Sequence, residues 1–148
     1  DLISFIPIRV VTDSANHHDG SYMSELCGNM KSGDIAVMDR AYVDYKPLDT
    51  LTEQGVFWVT RSKSNMKVKI IRELNKGRKN TPQEGKDHHY PIILTDEEVK
   101  LTGKTSHKRY PRSFRHVSVI VLDSNGKEIT VSFHINKLNS YSISGVYP

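Results

Sequence analysis

An aspartate that directly follows an apolar run is the residue of this chain best placed to do chemistry. The run extends from Ile35 to Met38, and Asp39 comes next. Four consecutive apolar residues are typical of a strand buried on both faces in the middle of a parallel sheet. In open α/β sheets, ligands bind beyond the carboxyl ends of such strands. A carboxylate that is open to solvent there suits Mg²⁺ or Mn²⁺, so the pattern predicts Asp39 as a metal ligand.

Capping is the alternative interpretation of Asp39, because aspartate is also common in turns and at the start of helices. The two interpretations differ in the surroundings of the carboxylate. A metal ligand should be at least partly exposed, whereas a carboxylate buried against backbone amides at a helix start would argue against catalysis.

Downstream of this aspartate, the sequence alternates helix and strand. Asp44 can cap a helix whose apolar residues Leu48 and Leu51 share one face. Gly55 fits the left-handed position just after the last helical turn. The apolar segment 56–59 predicts a second strand, which we expect to pair with the first strand in parallel.

Upstream, segment 5–11 predicts a strand, and Asp19 can cap a following helix. Apolar residues at helical spacing give that helix one stripe, formed by Met23, Leu26, Cys27 and Met30. This succession of strands and helices predicts an α/β fold for residues 1–64.

Several separated motifs of the chain are informative because of their order. They are TDSANHHD, then GDIAVMDRAYVDYKPLDTLTEQGVFWVTRSKSN, then VKLTGKTSHKRYPRSFRHVSV with its L-T-G and Y-P-x-x-x-R elements. Together they resemble bacterial insertion-sequence transposases of the DDE type. Members of that family have a ribonuclease-H-like catalytic core and a β-rich insertion domain. The resemblance implies a mixed sheet with flanking helices and an inserted, mainly antiparallel β lobe.

The resemblance also implies a catalytic triad in which Asp39 is the second carboxylate. The first aspartate would precede Asp1, and the final glutamate would follow Tyr147, which matches the tyrosine of a Tyr-x-x-Arg-x-x-x-Glu element. In the intact enzyme, the triad holds two Mg²⁺ or Mn²⁺ ions for phosphoryl transfer. We therefore expect this chain to be a central fragment that binds the ions weakly and is catalytically incomplete by itself.

An incomplete sheet is a further expectation from the resemblance. The strand of the first aspartate would lie between segments 5–11 and 35–38, so its absence would leave a gap or an unusual edge. Exposed strand edges favour pairing with a second chain. The expected partners are thus double-stranded DNA at transposon ends and, as an open possibility, a second copy of the chain in a synaptic complex.

Charge is unevenly distributed along the chain. Residues 1–59 contain 4 basic and 9 acidic side chains, whereas residues 60–116 contain 15 basic and 6 acidic ones. A basic segment beside an acidic layer fits a protein that grips phosphates with one part and holds cations with another. A lysine-rich solvated surface is the alternative.

The basic segment predicts a β-rich lobe. We expect a strand at 67–74, a polar loop at 75–87, short strands at 90–94 and 99–101, and a hairpin whose turn contains Asn125 and Gly126. The expected domains are residues 1–64 (part of the catalytic core), 65–137 (the insertion) and 138–148 (the return to the core).

Candidate DNA contacts fall into three groups. Two groups follow the strand ends and should emerge at one edge of the sheet, and the third lies in the insertion and at the end of the chain. The residues are Arg40 and Tyr42; Arg61, Lys63 and Asn65; and Lys104, Lys108, Arg109, Arg112 and Tyr147. Such contacts would mostly position the DNA backbone.

Other classes of protein fit less well. His17, His18, His88 and His89 could suggest zinc, but Cys27 is the only cysteine, and structural zinc sites usually recruit several. A single cysteine also excludes an intramolecular disulfide, which fits the bacterial cytoplasm. No apolar run reaches membrane length. Two alternative functions remain: a DNA-binding module that cuts nothing, and a ribonuclease-H-like nuclease.

Overall fold

A six-stranded sheet organises the part of the chain that the computed structural model describes, residues 22–63, 65–74 and 91–137. The α/β fold class is confirmed. The helices are α1 (Met23–Leu26), a 3₁₀ helix (Arg40–Tyr42), α2 (Tyr45–Glu53) and α3 (Lys104–Arg109). The strands are β1 (Ile35–Met38), β2 (Phe57–Arg61), β3 (Val68–Glu73), β4 (Ile92–Leu101), β5 (Ser113–Leu122) and β6 (Glu128–Ile135).

Several expectations concern residues outside those ranges. They are the strand at 5–11 and its gap next to β1, the helix start at Asp19, the loop at 75–87, Tyr147 and the segment 138–148. These stay predictions.

The strand order is β1-β2-β6-β5-β4-β3. The predicted parallel pairing of the first two strands is confirmed, with Ile35 opposite Phe57 and Met38 opposite Thr60. All other pairs are antiparallel. Because β6 pairs with both β2 and β5, the strands of segment 65–137 continue the sheet that starts with β1. The domain boundary near residue 64 stays a prediction, and it coincides with the change from parallel to antiparallel pairing.

Helix α2 begins and ends where local signals predict. The Asp44 Oδ1 atom accepts a hydrogen bond of 3.2 Å from the backbone N–H of Lys46. Leu48 and Leu51 are buried on one face. Gly55 follows the helix with a φ of 76°, and a Cβ atom there would lie 2.5 Å from the Ser32 Oγ atom. The cap, the apolar face and the terminating glycine are all confirmed.

Three buried aromatic side chains form the centre of the core. Trp58 from β2 lies 5.7 Å from Tyr110 and 6.1 Å from Phe114 between ring centroids, and Tyr110 lies 5.8 Å from Phe114. The Tyr110 ring meets both neighbours edge-on, an arrangement that aromatic quadrupoles favour. Tyr110 directly follows α3, so the cluster joins α3 to β2 and β5. The other buried members of the core are Met23, Ala36, Leu48, Leu51, Val56, Val99 and Leu101.

The hydroxyl group of Thr52 connects α2 to this aromatic cluster. It donates to the backbone oxygen of Leu48 (2.9 Å) and accepts from the Trp58 Nε1 atom (2.9 Å). It also accepts from the Asn136 Nδ2 atom at 3.1 Å and lies 3.3 Å from the Tyr110 hydroxyl. One side chain of α2 thus bonds to residues of β2, of the segment after α3 and of the segment after β6.

The expectation that β1 is buried on both faces is wrong. Ala36 points into the core and is 7 % exposed, whereas Ile35 and Val37 on the opposite face are 61 % and 62 % exposed. Helices α1 and α2 pack on the Ala36 side through Met23 and Leu48. Among the described strands, β1 is also at the end of the sheet and not central. An apolar run shows that a strand is buried, but it does not show how many faces are covered.

The two short strands expected at 90–94 and 99–101 are one ten-residue strand, β4. The polar residues Thr95 to Glu98 between the two expected strands continue the strand, with an irregularity between Ile93 and Thr95. Asp96 and Glu98 are buried there because arginines pair with them. The predicted hairpin is confirmed: β5 and β6 pair from Leu122 and Glu128 onward.

Replacing Thr52 with valine should destabilise the protein by about 1–3 kcal/mol, because the buried indole N–H group of Trp58 loses its acceptor. The volume of the side chain stays nearly the same. Thr50→Val is the matched control in the same helix, since the exposed Thr50 hydroxyl bonds only to the Lys46 backbone oxygen. Urea unfolding followed by circular dichroism measures both. Equal losses for the two variants would show that Thr52 contributes only helix propensity.

Candidate functional site

Asp39 lies directly after β1 and is exposed. Its Oδ1 atom accepts a hydrogen bond of 3.0 Å from the backbone N–H of Ala41, so the residue caps the 3₁₀ helix. Its Oδ2 atom makes no hydrogen bond to the described residues. Capping and exposure therefore occur together. The residue is exposed although one of its oxygens caps the helix, and a carboxylate in such a position can bind a cation.

The ends of β1 and β2 lie side by side at this edge. Because Met38 is opposite Thr60 in parallel register, the residues after both strands emerge together, as the sequence predicts. Arg40, Arg61 and Asn65 are exposed, whereas Tyr42 and Lys63 are partly buried. Three of the candidate DNA contacts are therefore exposed, and their contact with DNA stays a prediction.

An apolar cavity of about 320 Å³ adjoins Asp39. Its wall is formed by α1, the turn after it and β1, and the polar residues Asp39 and Tyr42 complete it. Cys27 also lines the cavity, and burial raises the pKa of its thiol, which keeps it protonated and a poor nucleophile at neutral pH. The other lining residues are Met23, Leu26, Met30, Ala36, Val37 and Met38.

A complete metal site does not occur within the described residues, where no three His, Cys, Asp or Glu side chains form a group able to hold an ion. Asp39 can supply one oxygen ligand to a hard cation such as Mg²⁺. A two-metal centre needs further carboxylates, which would have to come from beyond the described ranges.

The four basic residues of the insertion do not form one free surface. Lys104 and Lys108 are exposed on α3. Arg109 instead pairs with Asp44 at 2.5 Å. Arg112 pairs with Asp49 at 2.9 Å and with Glu53 at 3.0 Å, so both arginines connect to carboxylates at α2. Arg109 and Arg112 therefore have carboxylate partners, whereas no ion pair of Lys104 or Lys108 with another described residue is seen. The contact of all four residues with DNA stays a prediction.

The Y-P-x-x-x-R element has a structural role that the sequence did not reveal. Tyr110 is buried, and burial raises the pKa of its hydroxyl to about 12. Arg115 donates two hydrogen bonds of 2.6 Å to Asp96, in the fork geometry that favours arginine over lysine. The spacing of the motif singled out both residues, but it could not identify their partners, which lie in other parts of the sequence.

A buried histidine, His134, and a half-buried one, His116, form a cross-strand pair in the same sheet. His116 and His134 are opposite each other on β5 and β6, and the Nδ1 atom of one lies 2.8 Å from the Nε2 atom of the other. Burial, and then the neighbouring His116, lowers the pKa of His134 to about 3. Burial also lowers the pKa of His116, although Glu97 opposes the shift. Both rings are therefore neutral at pH 7.

Comparison with known proteins gives two findings. The family model described as "Transposase DDE domain" matches residues 1–136. A protein of Geobacillus stearothermophilus, described as "Probable transposase for insertion sequence element IS5377", is 26 % identical over 144 residues, which are 96 % of this chain and 33 % of that protein. The chain thus spans about a third of the length of this relative. In the part of the chain that the structure describes, no helix meets the length and apolarity of a membrane span.

Acidification should weaken the fold through the histidine pair. Above the unfolded-state pKa of about 6.5, His134 is neutral in both states, and stability is unaffected. Between about 6.5 and the folded-state value of about 3, only the unfolded state takes up the proton, so stability falls with pH. His134→Gln should reduce this slope by on the order of 1 kcal/mol per pH unit. Urea titrations from pH 7 to pH 4.5 measure it, and identical slopes would contradict the assignment.

Proposed function

This chain belongs to the transposase DDE domain family, and on that premise we propose that Asp39 is one of the carboxylates with which an insertion-sequence transposase cuts and joins DNA. The observation that carries the proposal is the position of Asp39. It is an exposed carboxylate at the carboxyl end of β1, beside the parallel strand β2 and inside the segment that the family model matches.

The carboxylate of Asp39 fits a role as metal ligand. Its Oδ1 atom accepts a hydrogen bond from the Ala41 N–H group, and the residue is exposed. It would hold Mg²⁺ or Mn²⁺ together with ligands from beyond the described residues. When bound, two such ions lower the pKa of an attacking water or 3′-hydroxyl and stabilise the leaving oxygen. In this proposal, the work of Asp39 is to fix the cations at the end of β1.

DNA is the proposed substrate and partner. Arg40 follows β1, Arg61 ends β2, and Lys63 and Asn65 come after it, at the edge where β1 and β2 end in parallel register. In this proposal, the DNA strand to be cut passes along that edge. Lys104 and Lys108 would add phosphate contacts from α3. Contacts of this kind position a duplex without reading its sequence. A homodimer that brings two transposon ends together in the bacterial cytoplasm belongs to the same proposal.

Binding without cleavage is the second candidate function, and one observation favours it for this chain by itself. Asp39 has no group of three potential ligands around it in the described residues, so the described part can hold an ion only weakly. We therefore expect this chain alone to bind duplex DNA at micromolar strength or weaker and to cut none.

Lys104→Ala combined with Lys108→Ala should flatten the salt dependence of DNA binding. Each phosphate contact that is lost reduces the slope of log K against log salt by about 0.9. Fluorescence anisotropy of a labelled duplex between low and physiological salt measures the slope. Lys31→Ala combined with Lys127→Ala removes the same charge elsewhere and is the control. If both double variants kept the wild-type slope, α3 would be a solvated surface only.

Asp39→Ala separates binding from catalysis in the same assay. Its duplex affinity should be unchanged or slightly raised, because a negative charge is removed. In the complete protein that the gene encodes, the same variant should lose strand cleavage. Cleavage that persists in this variant would exclude Asp39 as a catalytic ligand.

A further inference from the structure

The segment between Asp39 and α2 is fixed at both ends by its own carboxylates. Asp39 caps the 3₁₀ helix at one end, and Asp44 caps α2 at the other. Between them, the Tyr42 N–H group donates to the Asp39 backbone oxygen (3.1 Å), and the Val43 N–H group donates to the Arg40 backbone oxygen (3.3 Å). The position of Asp39 therefore depends on a short turn whose far end is Asp44.

Asp44 is also contacted from a distant part of the chain. The Nη2 atom of Arg109 lies 2.5 Å from the same Oδ1 atom that caps α2. The two side chains are 46 % and 28 % exposed, so the pair is at the surface but partly shielded. Arg109 thus reaches from the insertion to the last residue of the turn that carries Asp39.

Arg109 is held in place by its neighbour in sequence. Tyr110 is 1 % exposed, packs edge-on against Trp58 and Phe114, and lies 3.3 Å from the Thr52 hydroxyl. Because Tyr110 is buried and packed, the backbone of the adjacent Arg109 has little conformational freedom. This lowers the entropy that an exposed ion pair normally loses when it forms.

Arg112 makes a similar connection at a different place. It pairs with Asp49 and Glu53, which lie farther along α2, away from the turn. Arg109 at the end of α3 and Arg112 between α3 and β5 therefore both contact α2 or its cap. Of these two arginines, only Arg109 acts at the residue that ends the Asp39 turn.

From this geometry we propose that Arg109 is a positioning residue for Asp39. Through Asp44, it fixes the turn 39–44, and so it couples the insertion segment to the carboxylate that binds metal. The link to metal binding rests on the function proposed above; the link to the conformation of the turn does not.

Amide hydrogen exchange measured by NMR tests the conformational part on this chain. Arg109→Ala should speed exchange of the Ala41, Tyr42 and Val43 amides about three- to five-fold, the factor of an exposed ion pair worth up to roughly 1 kcal/mol. Arg109→Lys should restore most of the protection.

Two comparisons make the exchange test specific. Arg112→Ala, the matched control, removes the ion pairs that a nearby arginine makes with residues farther along α2, and it should leave the three amides unchanged. Asp44→Asn keeps a good N-cap residue but loses the charge, so it should reproduce the effect of Arg109→Ala, and adding both changes should give no further increase. Equal effects of Arg109→Ala and Arg112→Ala, or no effect of either, would overturn the proposal.

Cleavage by the complete protein tests the functional part. Arg109→Ala should raise the Mn²⁺ concentration needed for half-maximal cleavage without raising the DNA concentration needed, and Arg109→Lys should reverse the change. A higher requirement for DNA alone would make Arg109 a phosphate contact and overturn the positioning role. If the wild-type protein cut no DNA, the function proposed above would fail, and the exchange rates would still decide how Arg109 acts on the turn.

Discussion

The hydrogen bonds of the Thr52 hydroxyl are the constraint on which the described structure depends. A single side chain of α2 bonds to Trp58 of β2 and to Asn136, which follows β6, and it lies beside Tyr110, which precedes β5. It therefore connects the helix to the part of the sheet formed by β2, β6 and β5. Around it, the packed rings of Trp58, Tyr110 and Phe114 exclude water, which makes an unpaired polar group there costly. Loss of this bonding would weaken the attachment of α2 to β2.

This constraint determines the position of the candidate site. Asp39 is connected to α2 by only a short turn, and α2 is fixed by the Thr52 bonds. Arg109 and Arg112 reach the same helix from the other side of the sequence. The segment that contains these two arginines therefore takes part in holding the helix that follows Asp39.

Local features were predictable from the sequence, and non-local pairings were not. The cap at Asp44, the glycine at 55 and the β5–β6 hairpin follow from residues within a few positions of one another, and all three were correct. The exposed face of β1 depends on which elements cover the sheet, and no local pattern encodes that. The partners of Arg109 and Arg112 depend on the docking of α3, for the same reason. The charged residues of β4 do not indicate a continuous buried strand by themselves, because the arginines that pair with them come from other strands.

The central claim is that Asp39 binds a catalytic metal ion. Replacing its carboxylate with a different type of metal-binding group tests this claim most directly. Asp39→Cys in the complete protein replaces a hard oxygen ligand with a soft thiolate, which prefers softer ions. The account predicts that this variant cuts no DNA in Mg²⁺ and regains cleavage in Mn²⁺ or Cd²⁺, whereas Asp39→Ala stays inactive in all three. Full cleavage by Asp39→Cys in Mg²⁺, or equal behaviour of the two variants with every ion, would contradict it.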